Sequence, residues 1–93
     1  MSEESKPYDV VFTDVALKNL SRYPKKDQQL ILTRVEQLAI DPLIMQNVKQ
    51  LVQYGVSYRL RVGNYRVLFE RDDRILIIDV IDILPRSQAY RRR

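Results

Sequence analysis

The stretch YRLRVGNYRVLFE, Tyr58 to Glu70, decides the reading of this chain. Side chains alternate in type on either side of Gly63-Asn64, a dipeptide suited to a two-residue primed hairpin turn. With Gly63 and Asn64 as the loop, Val62 faces Tyr65, Leu60 faces Val67 and Tyr58 faces Phe69. A strand alternates faces with period two, so these six side chains share one apolar face. The other face carries Arg59, Arg61, Arg66 and Leu68, with Arg61 directly across from Arg66. Like charges in that position destabilise a sheet by less than about 1 kcal/mol. A charge-assisted hydrogen bond to an anion returns about 1.5–3 kcal/mol. An anion-binding face therefore outweighs the repulsion. The alternative is a solvated face with splayed arginines, or one neutralised by Asp79 or Glu70.

Working outward, "RILIIDVIDI" at 74–83 reads as a third strand, reached through a polar step, "RDDR", at 71–74. The meander is thus expected at 56–62, 64–71 and 74–83. Upstream, 42–54 reads as irregular. Asp41-Pro42 ends a helix over about 25–40, whose stripe is Ile31, Val35 and Leu38, widened by Leu30 and Leu32. Pro24 separates it from a shorter helix capped by Thr13 or Asp14, with Val15, Leu17, Leu20 and Tyr23 expected inward. The short link makes the two helices an antiparallel pair. "YDVVFT" at 8–13 has the β-branched content of a strand, and residues 1–7 read as a loose leader. The predicted fold is α+β: an N-terminal strand, a helix pair, then a three-stranded antiparallel meander. Pro85 is expected to start a short C-terminal helical segment.

Composition narrows the chemistry. The 93 residues suit one domain, 1–93, and 45% hydrophobic with 30% charged is ordinary for a folded chain. There is no cysteine and no histidine. Disulfides, thiolate zinc sites and the commonest general base are excluded. Two glycines cannot build a phosphate-cradling loop. Asp72-Asp73 reads as turn chemistry rather than a metal site, and Asp79 and Asp82 are expected on opposite strand faces. A net charge of +4 favours an anionic partner. Lys18, Arg22, Lys25, Lys26 and Arg34 make the helical pair basic, a solvated face or a track for a nucleic-acid backbone. No apolar run has transmembrane length, and "MSEESKPY" is unlike a signal peptide, so a cytoplasmic location is expected. The chain ends in "LPRSQAYRRR". A helical turn there puts Arg86 and Tyr90 on one side, four residues apart.

The stretch "VKQLVQYGVSYRLRVGNYRVLFERDDRILIIDVIDILPRSQAYRR" resembles the C-terminal half of the RelE/ParE family of toxins from bacterial toxin–antitoxin pairs. The strand and helix pair before it have the family's order. The resemblance implies a RelE-like fold and a ribosome-dependent endoribonuclease that cuts messenger RNA in the ribosomal A site. No metal or cofactor is implied. The RNA's 2′-hydroxyl attacks the adjacent phosphate, leaving a 2′,3′-cyclic phosphate. Carried over by position, Arg59 and Arg61 match basic positions before the turn that hold and activate the RNA backbone. Arg66 matches the arginine that contacts the scissile phosphate. Tyr90 matches a tyrosine that stacks on the base or takes the 2′-hydroxyl proton, and Arg86 an arginine leading to it. Lys49 matches a basic position before the second strand; Arg91 adds general attraction for RNA. Leu84 and Pro85 stand where ribosome-dependent members can carry a further basic residue. The resemblance also implies a cognate RelB-like antitoxin. The family includes ParE-like inhibitors of DNA gyrase, which generally lack the C-terminal nuclease set. An inactive nucleic-acid-binding relative is the third alternative.

Overall fold

The computed structural model describes residues 7–40, 48–50 and 58–86. In chain order these are β1 (Asp9–Phe12), α1 (Asp14–Ser21), α2 (Lys25–Ile40), β2 (Val48–Gln50), β3 (Tyr58–Val62), β4 (Tyr65–Asp72) and β5 (Ile77–Pro85). The strands form one sheet in the order β1-β5-β4-β3-β2. β1 runs parallel to β5, and every other neighbour is antiparallel. The fold is α+β, with the expected strand, helix pair and meander.

The hairpin has the expected register: Val62 pairs with Tyr65, Leu60 with Val67 and Tyr58 with Phe69. Gly63 sits at φ 56°, a left-handed conformation that glycine adopts without a Cβ penalty. Asn64 has no positive φ, which makes this the II′ form of hairpin turn. Leu60, Val62, Val67 and Phe69 join Ile78, Val80 and Ile83 in one buried face. Ile31, Val35 and Leu38 of α2 close over it as the helical stripe requires, while Leu30 stays 42% exposed.

On α1 the inner side differs from the expectation. Ala16 and Leu20 are buried and Tyr23 packs beside them, whereas Val15 and Leu17 face outward. The cause is Thr13. Its hydroxyl caps the helix by accepting from the Ala16 amide at 3.1 Å and donates to the Ile81 carbonyl at 2.6 Å. Its amide donates to the Val80 carbonyl at 3.0 Å. Bolting the first turn to β5 fixes the helix's rotation, and the small Ala16 lets it lie close to the sheet.

Two further expectations change. Part of the stretch read as irregular, Val48–Gln50, is an edge strand paired with β3. The second hairpin turns over residues 73–76 instead of 71–74, so β5 begins at Ile77. Asp72 Oδ1 organises that turn by accepting from the amides of Arg74 (2.9 Å) and Ile75 (3.3 Å). Asp73 accepts from Tyr8 and pairs with Arg71, so both aspartates serve the turn. As expected, a helical turn follows Pro85: Pro85 ends β5 opposite Tyr65 and the turn begins at Arg86. Residues 87–90, where the helical segment was expected to continue, lie outside the described residues, as do residues 1–6 of the leader.

A register shift between Leu68 and Phe69 alters the parity of β5. Leu68 pairs with Asp82, but Phe69 pairs with Val80, leaving Ile81 as an extra residue. Asp79 and Asp82 therefore align with residues of the same face of β4, contrary to strict alternation. β1 ends opposite Val80, and α1 takes over along the edge of β5 beyond it. There Asn19 Nδ2 donates to Asp82 at 2.7 Å and the Tyr23 hydroxyl to the Ile83 carbonyl at 2.6 Å.

Candidate functional site: a basic face on the meander

Three adjacent strands carry the basic residues on the face away from the helices. Lys49 of β2 pairs with Arg59 of β3, and Arg61 of β3 pairs with Arg66 of β4. Directly paired residues share a face, and Arg59 and Arg61 are two apart on one strand. At the usual strand spacing these three strands put the four cations on a patch roughly 10 Å wide. Leu68, paired with Arg59, and Leu84, paired with Arg66, lie beside it, and Asp82, paired with Leu68, borders it on β5. Glu70 and Asp79 pair with each other farther along the face, so the β5 residue beside Arg66 is Leu84 instead of a carboxylate.

The cations differ in exposure. Lys49 and Arg61 are exposed and Arg59 is half-buried. Arg66 is only 9% exposed although its strand position points away from the helices. Its Nη1 lies 3.4 Å from the Tyr65 carbonyl, a long bond that favours one direction for the guanidinium. Arg86 follows the end of β5, and its amide donates to the Asn64 carbonyl at 2.6 Å. That bond brings Arg86 to the hairpin tip carrying Arg61 and Arg66. Tyr90 and Arg91 lie outside the described residues.

On the helix side of the same hairpin, sequence reasoning missed a cluster. The Tyr65 hydroxyl donates to Asp27 Oδ2 at 2.6 Å, and its ring lies 4.6 Å from that of Tyr23. The bond to Asp27 pushes the Tyr65 phenol up to about 12, with burial and the carboxylate's charge adding to it. Burial also raises Tyr23, helped by the charge of Asp82. Asp27 and Tyr65 are far apart in sequence, and no local pattern announces their meeting.

Chemically, the patch suits a polyanion presenting closely spaced phosphates. Guanidinium groups offer paired donors in a plane, matching two phosphate oxygens. Among the described residues no cluster of three or more histidines, cysteines or carboxylates has the arrangement of a metal site. No described helix is long and apolar enough to cross a membrane.

Comparison with known proteins agrees with the fold. Residues 10–90 match the family described as the ParE toxin of the type II toxin–antitoxin system, parDE. The chain belongs to this RelE/ParE family and is a toxin of that class. Solved structures extend the likeness. The archaeal RelE–RelB complex from Pyrococcus horikoshii matches with 26% identity and a TM-score of 0.76, covering 90% of this chain and 100% of the matched one. The RelBE2 complex from Mycobacterium tuberculosis matches with 25% identity and a TM-score of 0.74, covering 87% and 100%. The isolated RelE toxin of E. coli, at 18% identity, shares the fold with a TM-score of 0.72 over 89% of this chain and 88% of its own. None of the curated proteins matches the chain in sequence.

Proposed function

We propose that this toxin is a metal-independent, ribosome-dependent messenger RNA endoribonuclease that acts in the ribosomal A site and arrests translation and growth. The single observation that carries the reading is the arginine pair Arg61–Arg66, held opposite one another at a hairpin tip shared with Arg86. Two cations placed opposite one another suit a group whose negative charge grows during reaction. Attack of a 2′-hydroxyl on the neighbouring phosphorus forms the 2′,3′-cyclic phosphate and expels the 5′-oxygen. Charge builds on the non-bridging oxygens in between. Arg66 and Arg61 stabilise that charge. Lys49 and Arg59 hold the flanking backbone, with Arg91 adding attraction. Tyr90 takes the attacking hydroxyl's proton, and Arg86, next to the tip, stabilises the leaving oxygen in place of the basic residue absent at Leu84 and Pro85.

A cognate antitoxin is the second part of the proposal. The matched archaeal and mycobacterial proteins were solved as complexes with RelB-type or antitoxin partners, which supports a similar partner here. An acidic, amphipathic segment complements the basic face. The cytoplasm, where ribosomes and messenger RNA meet, is the proposed location.

Induced expression in a bacterium, with messenger RNA 5′ ends mapped for the wild type and for Arg61→Ala, tests the reading. Arg61 is exposed, so its loss leaves the fold intact. Growth arrest with new cuts on translated messages, lost in the variant, is the expected result. The matching family's own name favours one other reading, inhibition of DNA gyrase. Arrest with intact messages and signs of DNA damage selects that reading, and no arrest selects an inactive nucleic-acid-binding relative.

A further inference from the structure

We infer that Asp27 and Tyr65 are a positioning pair for the basic face, holding the start of β4, and with it Arg66, against the corner between α1 and α2. The inference rests on the ribonuclease reading and extends it to residues on the opposite side of the sheet.

Tyr65 and Arg66 are consecutive, so their side chains leave the strand on opposite faces. Fixing one restricts the backbone that aims the other. Tyr65 is fixed twice: its hydroxyl donates to Asp27 at 2.6 Å and its ring rests against Tyr23. Tyr23 is itself tied down, because its hydroxyl donates to the Ile83 carbonyl at 2.6 Å and its carbonyl accepts from Gln28 Nε2 at 2.8 Å. The same corner therefore grips the start of β4, next to Arg66, and the end of β5, three residues before Arg86.

Two features show where this grip acts. Tyr65 and Pro85 form a non-hydrogen-bonded pair beside the Arg86-to-Asn64 bond, so the Tyr65 amide and carbonyl face β3 and no backbone bond ties Tyr65 itself to β5. Arg61 and Arg66 also repel one another across the hairpin at the next pair along. A hold on the opposite face opposes splaying at this point of the hairpin. The Tyr65–Asp27 bond is directional and lies at that point. Neither residue sits on the basic face, so neither touches the RNA; they act through Arg66.

The test uses the full chain with Tyr65→Phe, Asp27→Ala, Asp27→Asn and the double variant Asp27→Ala/Tyr65→Phe. Tyr65→Phe keeps the ring and its stacking on Tyr23 and removes only the hydroxyl. In steady-state cleavage of messenger RNA on translating ribosomes, kcat is expected to fall by about tenfold or more in Tyr65→Phe and Asp27→Ala, with KM within roughly twofold. The double variant is expected to be no worse than either single one. Asp27→Asn keeps an acceptor and is expected within about threefold of wild type. An unchanged kcat in the folded variants, or losses that multiply in the double variant, overturns the pair. A thermal-stability loss with normal turnover does so too, because it leaves only a structural role.

A wild type that does not cleave refutes the proposed function instead. The side-chain Nε–H resonance of Arg66 in nitrogen-15 spectra then decides the positioning pair. It is expected to shift in Asp27→Ala, and an unmoved resonance overturns the pair.

Discussion

Arg61 and Arg66 face each other directly across the β3–β4 ladder, yet the first is exposed and the second is 9% exposed. The two members of one like-charge pair thus have different structural weight. Arg61→Ala removes repulsion and little packing, so it is expected to leave stability unchanged or raise it by less than about 1 kcal/mol. Arg66→Ala removes a covered aliphatic stem as well as a charge. It is expected to cost about 1–2 kcal/mol while the protein stays folded. Thermal unfolding of the two variants in low salt checks the asymmetry; equal shifts refute it.

The raised Tyr65 phenol gives a pH dependence. In the folded protein it titrates at about 12 instead of 10.0. The folded state binds the phenolic proton more tightly than the unfolded state does. The associated stability is complete below about pH 10 and is lost as pH rises toward about 12. Alkaline unfolding in that window is expected to be weaker in Tyr65→Phe, which has no phenol there to lose. Ultraviolet titration is expected to show Tyr65 ionising at about 12, shifted toward 10 by Asp27→Ala, while Tyr23, raised by burial and Asp82, stays late. A phase at about 12 that is absent from Tyr65→Phe but survives Asp27→Ala contradicts the bond as its cause.

Leu76 sits at φ 58° in the turn before β5, where a side chain bearing a Cβ is strained. Ordinary size rules predict that Leu→Gly costs more than Leu→Val. Here the order is expected to reverse. Glycine relieves left-handed strain, so Leu76→Gly is expected within about 1 kcal/mol of wild type. Leu76→Val is β-branched and is expected to be the less stable of the two by about 1 kcal/mol. Denaturant midpoints of both variants decide it.

Thr13 joins two jobs in one hydroxyl, capping α1 and bonding to the Ile81 carbonyl beside the extra residue of β5. Thr13→Val keeps the shape and loses both bonds. The expected loss is about 1–2 kcal/mol, with Thr13→Ser recovering most of it. Chemical unfolding measures both; a serine variant as weak as valine would falsify the assignment to the hydroxyl.

Much of this protein is local and therefore legible in the chain. Alternation on both sides of Gly63-Asn64 specified the hairpin register, because a slip of one residue would expose Leu60 and Val67. That register alone put Arg59, Arg61 and Arg66 on one face and made Arg61 and Arg66 partners. The stripe Ile31, Val35 and Leu38 identified the buried side of α2 in the same way. The functional roles of Lys49, Arg59, Arg61, Arg66, Arg86, Tyr90 and Arg91 stay proposals.

What tertiary structure decided depends on groups far apart in the chain. α1 turned Ala16 and Leu20 inward because Thr13 bonds to β5, a constraint that apolar spacing within the helix does not contain. Val48–Gln50 became a strand because β3 offered an edge to pair with. The register shift on β5 is a property of two strands together, so period-two counting on β5 alone misplaced Asp82. The burial of Arg66 and the meeting of Tyr65 with Asp27 belong to this second class. Side-chain periodicity acts over a few residues, whereas these contacts exist only once the helix corner and the meander have packed together.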